Sequence, residues 1–246
     1  MLLALGDHTF DVSHRAVVMG VLAPGLDAVG GRWSVDELLR SADSLVVEGA
    51  DLLDLGVVGR GSLEGEVGAL DDRGAVVRSA FDIALTAVEA VATRFDVPVA
   101  VTVAAGVEPG SIDLADLAGA GTDLVRGSTD LAGAAAVGLS VVLGSLDDLP
   151  AARTAGLGRE RIVLDAGLDP GATSTEQGEG LRRVDGLVAS GCAVLLDLPP
   201  ELPAVAGWTL GIARGCRVLR TPDVRAARRT ADVLAAILGA RSEVRR

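Results

Sequence analysis

Six polar side chains stand where short apolar runs end. Asp54 follows Leu52-Leu53, Thr102 the run from Val97, Arg126 Leu124-Val125, Asp165 Ile162-Val163-Leu164, Asp197 the run from Ala193, and Arg220 Val218-Leu219. Aspartates at such positions accept hydrogen bonds from cationic or amide donors, and arginines grip anions or carboxylates through a planar fork. Each residue also has a plain reading. Asp165 is then a strand-end carboxylate held by loop amides. Arg220 either binds an anion near the start of the last helix or pairs with Asp197 or Asp223. Arg126 and Asp197 can form a salt bridge that fills a pocket, since an unpaired charge there is costly. Asp54 reads as a solvated or backbone-bonded acid in preference to a metal ligand, and Thr102 as pocket lining.

Absences narrow the chemistry. The sequence has no Lys, Asn or Tyr, and His8 and His14 are its only histidines. Schiff-base lysines, P-loop lysines and tyrosine acids are thereby excluded. Cys192 and Cys216 are too few and too far apart for a disulfide framework or a zinc site, and read as small buried thiols at strand starts. No metal site is indicated. The net charge of −12 argues against nucleic acid and anionic membrane as partners. No apolar run reaches the ~20 residues of a membrane span, and the opening residues lack the basic flank of a signal peptide. The expected location is the cytoplasm.

The elements that must position these side chains alternate regularly. Eight short Val- and Leu-rich runs, 16–22, 52–58, 97–103, 124–127, 140–143, 162–164, 193–198 and 218–220, are separated by helical patterns. That rhythm predicts βαβ units whose strands are buried on both faces. Ser34…Glu37 and Ser174…Gln177 read as capping boxes, and the longest helix is expected from about Gly74 to Phe95. Gly49, Gly121, Gly191 and Gly215 sit where helices hand over to strands. Eight strands in 246 residues predict an α/β fold, a single-domain (β/α)8 TIM barrel over residues 15–240. Residues 1–14 form an extended segment capping it, and 241–246 a frayed tail. Function is expected at the C-terminal ends of the strands.

Four stretches in order carry a resemblance: Val18-Met19-Gly20-Val21-Leu22-Ala23-Pro24 with Gly30-Gly31-Arg32-Trp33; Glu48-Gly49-Ala50-Asp51-Leu52-Leu53-Asp54-Leu55-Gly56; Ile162-Val163-Leu164-Asp165-Ala166-Gly167; and Arg220-Thr221-Pro222-Asp223-Val224. Together they resemble the dihydropteroate synthases of the pterin-binding family over about residues 15–240. The resemblance implies a barrel that condenses hydroxymethylpterin diphosphate with p-aminobenzoate. In that family an acid and an Asn hold the pterin amidine, a Lys contacts the ring, and Arg, His, a further Asn and magnesium serve the diphosphate. It also implies dimerisation through the late helices, with Trp208 either an interface anchor or part of the outer helix layer.

The sequence departs from that pattern at most of these positions. The first loop, Ala23–Val29, lacks the family's Asn. In the second, 57–62, only Arg60 and Ser62 remain as counterparts. Thr102 replaces an Asp, Arg126-Gly127 replaces Asn-Asp, and Leu198-Pro199-Pro200-Glu201 stands where the family has Ser-Arg-Lys. The loop at Asp169–Ala172 has lost a Lys, and Pro222 replaces the His, while Asp165 matches the amidine-binding acid. A leaving diphosphate needs preorganised positive charge, and one lost donor alone can cost roughly 10²–10³ in rate. The expectation, within what the resemblance ties to folate biosynthesis, is a degenerate homologue, a pseudoenzyme that acts as a structural or regulatory partner. It would pair as a homodimer, or with an active homologue as a heterodimer, through the late helices. The alternative is an enzyme of the same barrel family with a changed, pterin-like or anionic small-molecule substrate. An active dihydropteroate synthase is the third reading, and magnesium enters only if diphosphate binding survives. A pocket closed by Arg–Asp pairs and Leu198-Pro199-Pro200 would favour the partner reading; an open one would favour a ligand.

Overall fold

The computed structural model describes residues 1–22, 34–57, 73–103, 112–127, 129–168, 174–199 and 202–244. The chain opens with an antiparallel hairpin, β1 (Leu2–Leu5) and β2 (His8–Asp11). Alternating strands and helices follow: β3 (Val17–Leu22), α1 (Val35–Glu48), β4 (Leu52–Val57), α2 (Arg73–Arg94), β5 (Val99–Val103), α3 (Leu114–Gly119), β6 (Leu124–Arg126) and α4 (Leu131–Ala136). The second half adds β7 (Ser140–Leu143), α5 (Leu149–Thr154), β8 (Ile162–Asp165), α6 (Ser174–Ala189), β9 (Ala193–Asp197), α7 (Ala204–Arg214), β10 (Val218–Thr221) and α8 (Val224–Val244). β3 to β10 pair in parallel and in sequence order, and β10 closes on β3. The molecule is therefore the (β/α)8 barrel that the eight apolar runs predict.

Local chemistry explains most of the boundaries. The Ser34 hydroxyl accepts the Glu37 amide at 3.1 Å and starts α1. Gly49 and Gly215 end α1 and α7 at φ of +103° and +110°, a region that side chains with a Cβ avoid. The third barrel strand begins at Val99, two residues later than its apolar run, because Pro98 has no N–H and gives the ladder only its carbonyl, to Leu53 N. α6 begins at Ser174 itself, so Ser174 lies inside the helix and not at the expected cap position.

Strand alternation divides the core in two. One set of side chains, including Val18, Leu53, Val101, Val125, Leu164, Leu196 and Leu219, packs outward against the helices. The other set, Val17, Met19, Leu52, Ala100, Leu124, Val142, Val163, Ala193, Leu195 and Val218, fills the barrel together with Leu3, Leu5 and Val12 from the hairpin region. The hairpin thus plugs the base of the barrel, and the buried Ser140 hydroxyl pins it by donating to the Ala4 carbonyl at 2.8 Å.

A second tie at the base was not singled out from the sequence. Arg228 of α8, 8% exposed, donates to Asp51 at 2.6 Å, to Asp232 at 3.0 Å and to the Ala16 carbonyl at 3.1 Å. Asp51 also accepts the Val18 amide at 2.7 Å. Much of the Gly-Ala-Asp motif before β4 therefore serves architecture, fastening α8 to the starts of β3 and β4.

The remaining singled-out residues are structural. Cys192 and Cys216 are free, buried thiols, and burial pushes the Cys216 thiol up to about 12. His8 lies in the hairpin, its ring stacked on Phe10 and its Nε2 3.6 Å from Asp96, while His14 is exposed just after the hairpin. Trp208 is 1% exposed between α7 and the barrel. It is therefore a core residue and not an interface anchor, because its ring has no face left to offer. Among the described residues, no helix is long and apolar enough to cross a membrane.

Candidate functional site

The inward positions of each barrel strand explain how the six sequence-selected residues meet. Residues i and i+2 of a strand share a face. Leu52, Ala100, Leu124, Val163, Leu195 and Val218 point into the barrel. Two positions on, nearer the C-terminal mouth, stand Asp54, Thr102, Arg126, Asp165, Asp197 and Arg220. One polar layer therefore lies directly above the apolar filling. Register reinforces the grouping: Thr102 is paired with Arg126, and Arg220 with Asp197.

All six join one continuous chain of contacts. The Thr102 hydroxyl donates to Asp54 Oδ1 at 2.8 Å. Arg220 Nε donates to Asp54 Oδ2 at 2.7 Å, and its Nη1 to Asp197 Oδ2 at 2.8 Å. Arg126 Nη2 lies 3.3 Å from the same Asp197 oxygen. Its Nε and Nη2 both donate to Asp165 Oδ2, at 3.2 and 2.8 Å. Asp165 Oδ1 accepts the Gly167 amide at 3.0 Å. Two guanidinium groups thus alternate with three carboxylates.

Burial is graded along this chain. The side chains of Asp54 and Arg220 are 1% and 16% exposed, and those of Arg126 and Asp197 are 24% and 29% exposed. Burial alone would lower the Arg220 pKa. The charges of Asp54 and Asp197, with their hydrogen bonds, outweigh it and raise that pKa above the usual arginine value. Asp54 is therefore not the solvated acid that one sequence reading held: it is a buried carboxylate, held among the described residues by one arginine and one hydroxyl.

Other expectations resolve in the same geometry. Arg220 pairs with Asp197, as one reading held, and also with Asp54. Asp223 instead caps α8 by accepting the Ala226 amide at 3.2 Å. Arg126 does contact Asp197, but its shorter bonds go to Asp165. Leu198 does not close the pocket: its side chain is turned toward α7, where a Cβ on Gly207 would meet it at 2.7 Å. The positions of Arg60, Ser62, Pro200 and Glu201, with the loops at Ala23–Val29 and Asp169–Ala172, lie outside the described residues.

The donor set does not suit a divalent cation, because guanidinium groups already occupy the carboxylates. Among the described residues, no group of three or more His, Cys, Asp or Glu can hold a metal ion. A separate cavity of about 610 Å³ is lined by Asp36, Leu39, Arg40, Asp43, Arg94 and Phe95, from α1 and the end of α2, and none of the six residues borders it.

No protein-family model and no curated protein matches the sequence. Solved structures do match in fold. The dihydropteroate synthase of Yersinia pestis in a sulfonamide drug complex is 22% identical with a TM-score of 0.74, over 98% of this chain and 100% of that one. That of Xanthomonas albilineans in complex with 7,8-dihydropteroate is 22% identical with a TM-score of 0.74, over 97% and 99%. That of Coxiella burnetii in complex with pteroic acid is 20% identical with a TM-score of 0.71, over 96% and 98%. The fold that the four sequence stretches implied is thus the fold observed, along nearly the whole chain.

Proposed function

We propose that this chain is a dihydropteroate synthase-fold protein that does not run the synthase reaction and acts instead as a structural or regulatory partner. The observation that carries this reading is the state of its two arginines at the mouth. Arg126 and Arg220 are both committed to carboxylates, Asp165, Asp197 and Asp54, at 2.7–2.8 Å for their shortest bonds. A leaving diphosphate would have to separate these pairs before it met the positive charge of either arginine. The three carboxylates would then repel it. Lysine, asparagine and further histidine are missing from the sequence, so no other side chain of those types can take over.

The partner surface in this reading is the outer face of the late helices. Val205 and Leu210 on α7, and Val233 and Ile237 on α8, are 55%, 54%, 59% and 46% exposed. Such residues suit a second copy or a catalytically competent homologue. A changed small-molecule substrate is the second reading, and the partial exposure of Arg126 and Asp197 favours it.

Calorimetric titration with hydroxymethylpterin diphosphate and magnesium tests the proposal. No heat at millimolar ligand is the expected result. Micromolar binding that disappears in Asp165→Ala would overturn it and return the protein to the pterin-binding, magnesium-assisted synthases of folate biosynthesis.

A further inference from the structure

We infer that the base of the barrel, the face plugged by the hairpin, docks on the same face of a second copy of this chain. This surface lies at the opposite end of the barrel from the polar layer and is separate from the outer face of the late helices. The inference therefore stands whether or not the readings of those two regions hold.

Three observations carry this. First, the hairpin divides the face by charge. On the β1 side, the turn Arg159–Arg161 before β8 packs against β1, and Arg153 lies in the last turn of α5 beside it. A Cβ on Gly191 would meet Arg159 Nη1 at 3.3 Å, so the arc continues to the foot of β9, and Arg217 completes it before β10. Arg161 and Arg217 are held in place by donating to the carbonyls of Gly138 at 2.9 Å and Cys216 at 2.8 Å. Glu160, between Arg159 and Arg161, offsets one of these charges. The other side carries Asp7 in the hairpin turn, Asp96 before β5 and Asp123 before β6. A Cβ on Gly6 would meet the Asp123 carboxylate, and His8 Nε2 lies 3.6 Å from Asp96. Among the described residues, none of the four arginines has an ion pair and no arginine reaches any of the three aspartates. Second, the strip between the two sides exposes apolar surface. The hairpin register turns Leu2 and Ala4, with Thr9 and Asp11, away from the barrel, and Leu2 and Met1 are 55% and 40% exposed. Third, the two sides match each other, whereas a uniformly charged partner would suit only one of them. A two-fold axis lying in the face, along the hairpin, lays the arginine arc of each copy on the acids of the other and brings the two hairpins together.

Each side is short of counter-charge in the single chain. Burial raises the pKa of Asp123 against the Val99 amide and His8, and the charge of Asp7 adds to the rise. Burial lowers the pKa of Arg217, opposed only by the Cys216 thiol. The second copy brings the missing sign to both sides. Most of these groups are exposed, so the contact should weaken with salt, as the screening length falls from about 10 Å at 0.1 M to about 3 Å at 1 M.

Sedimentation velocity of the full chain at about 100 μM, in about 0.05 M and about 1 M NaCl, follows the association. The wild type should dimerise at low salt with a Kd of about 10 μM, and at least about tenfold more weakly at high salt. Arg153→Glu/Arg159→Glu makes most of the face acidic, and Asp7→Arg/Asp96→Arg makes most of it basic. Each variant alone should lose at least about tenfold in affinity, because like charges then meet across the axis. An equimolar mixture of the two should associate about as tightly as the wild type. So should the chain carrying all four changes, whose sides are exchanged. Val233→Asp/Ile237→Asp, on the late helices, should leave this step unchanged. The inference is overturned if the wild type stays monomeric at low salt, or if the reversed chains associate as it does. It is also overturned if neither the mixture nor the exchanged chain recovers, or if the late-helix variant removes the salt-sensitive step. Thermal unfolding establishes that each chain is folded. Where a double change does not fold, Arg159→Glu and Asp96→Arg singly take its place with the same readings.

Discussion

Replacing Arg220 by Met isolates the deepest part of the mouth. The substitution keeps most of the stem volume and removes two bonds, 2.7 Å to Asp54 and 2.8 Å to Asp197. Asp197 retains Arg126 at 3.3 Å, but among the described residues Asp54, 1% exposed, keeps only the Thr102 hydroxyl. Removing one partner of a buried pair costs about 3–5 kcal/mol, because a carboxylate stays desolvated without a counter-charge. Arg220 is 16% exposed, so the lower part of that range applies, about 3–4 kcal/mol. For a chain of this size that is a Tm loss of about 6–16 °C. Asp54→Leu/Arg220→Met removes the orphaned charge as well. The only new debts are the Thr102 hydroxyl and a weaker hold on Asp197. The double variant should therefore lie within about 2 kcal/mol of the wild type. Urea unfolding with linear extrapolation measures both values. The reasoning is refuted if Arg220→Met costs less than about 1 kcal/mol, the scale of an exposed pair. It is equally refuted if the double variant is as destabilised as the two single changes added together.

Three further outcomes follow from other parts of the structure. Burial raises the pKa of Asp123, against the Val99 amide it accepts at 2.9 Å. A raised carboxylate favours the native state only at low pH and loses that contribution as pH rises through its folded pKa. Asp123→Asn should thus be more stable than the wild type at pH 7, and the gap should close below about pH 4, near the ordinary Asp value; a gap unchanged by pH would contradict this. Arg228→Met should cost about 3 kcal/mol, read as a fall in urea midpoint with unchanged slope, because the Ala16 carbonyl loses its guanidinium donor and Asp51 keeps only the Val18 amide and the half-exposed Arg15 at 3.5 Å. Cys192 and Cys216 should resist a thiol-reactive disulfide reagent in the native state and react only on unfolding; prompt labelling at neutral pH would show that the thiols are not held as described.

The barrel and its polar layer were legible in the sequence for one physical reason. Six of the eight apolar runs carry a polar residue two positions after an inward-facing apolar one, so counting by twos from Leu52, Leu124 or Val218 reaches Asp54, Arg126 or Arg220. The pairing within that layer was less legible. Asp54 and Arg220 are 166 residues apart, and only closure of β10 on β3, the neighbour of β4, brings them together. Arg126 does pair with Asp197 at 3.3 Å, as expected, but its two hydrogen bonds go to Asp165, a pairing the sequence did not suggest. Leu198 continues the alternation of β9 outward, which a reading of the loop as a lid overlooked. Trp208 stayed open between interface anchor and helix-layer packing, because an aromatic on a late helix looks the same in sequence whether its ring faces the barrel or the solvent; its burial decides for packing.

The plugged base also sets an order of events. The hairpin at residues 2–11 leaves the ribosome before the strands it docks against, and much of that docking surface is made late. Ser140, which pins Ala4, arrives 136 residues later, and the filling from β8 and β9 later still. Through much of synthesis, Leu3, Leu5 and Val12 therefore face only part of the filling that finally covers them. At about 5–20 residues per second, that interval lasts some seconds to half a minute. An apolar hairpin waiting so long is an obvious client for a chaperone at the exit tunnel, and its docking is the step at which eight sequential units become one closed body.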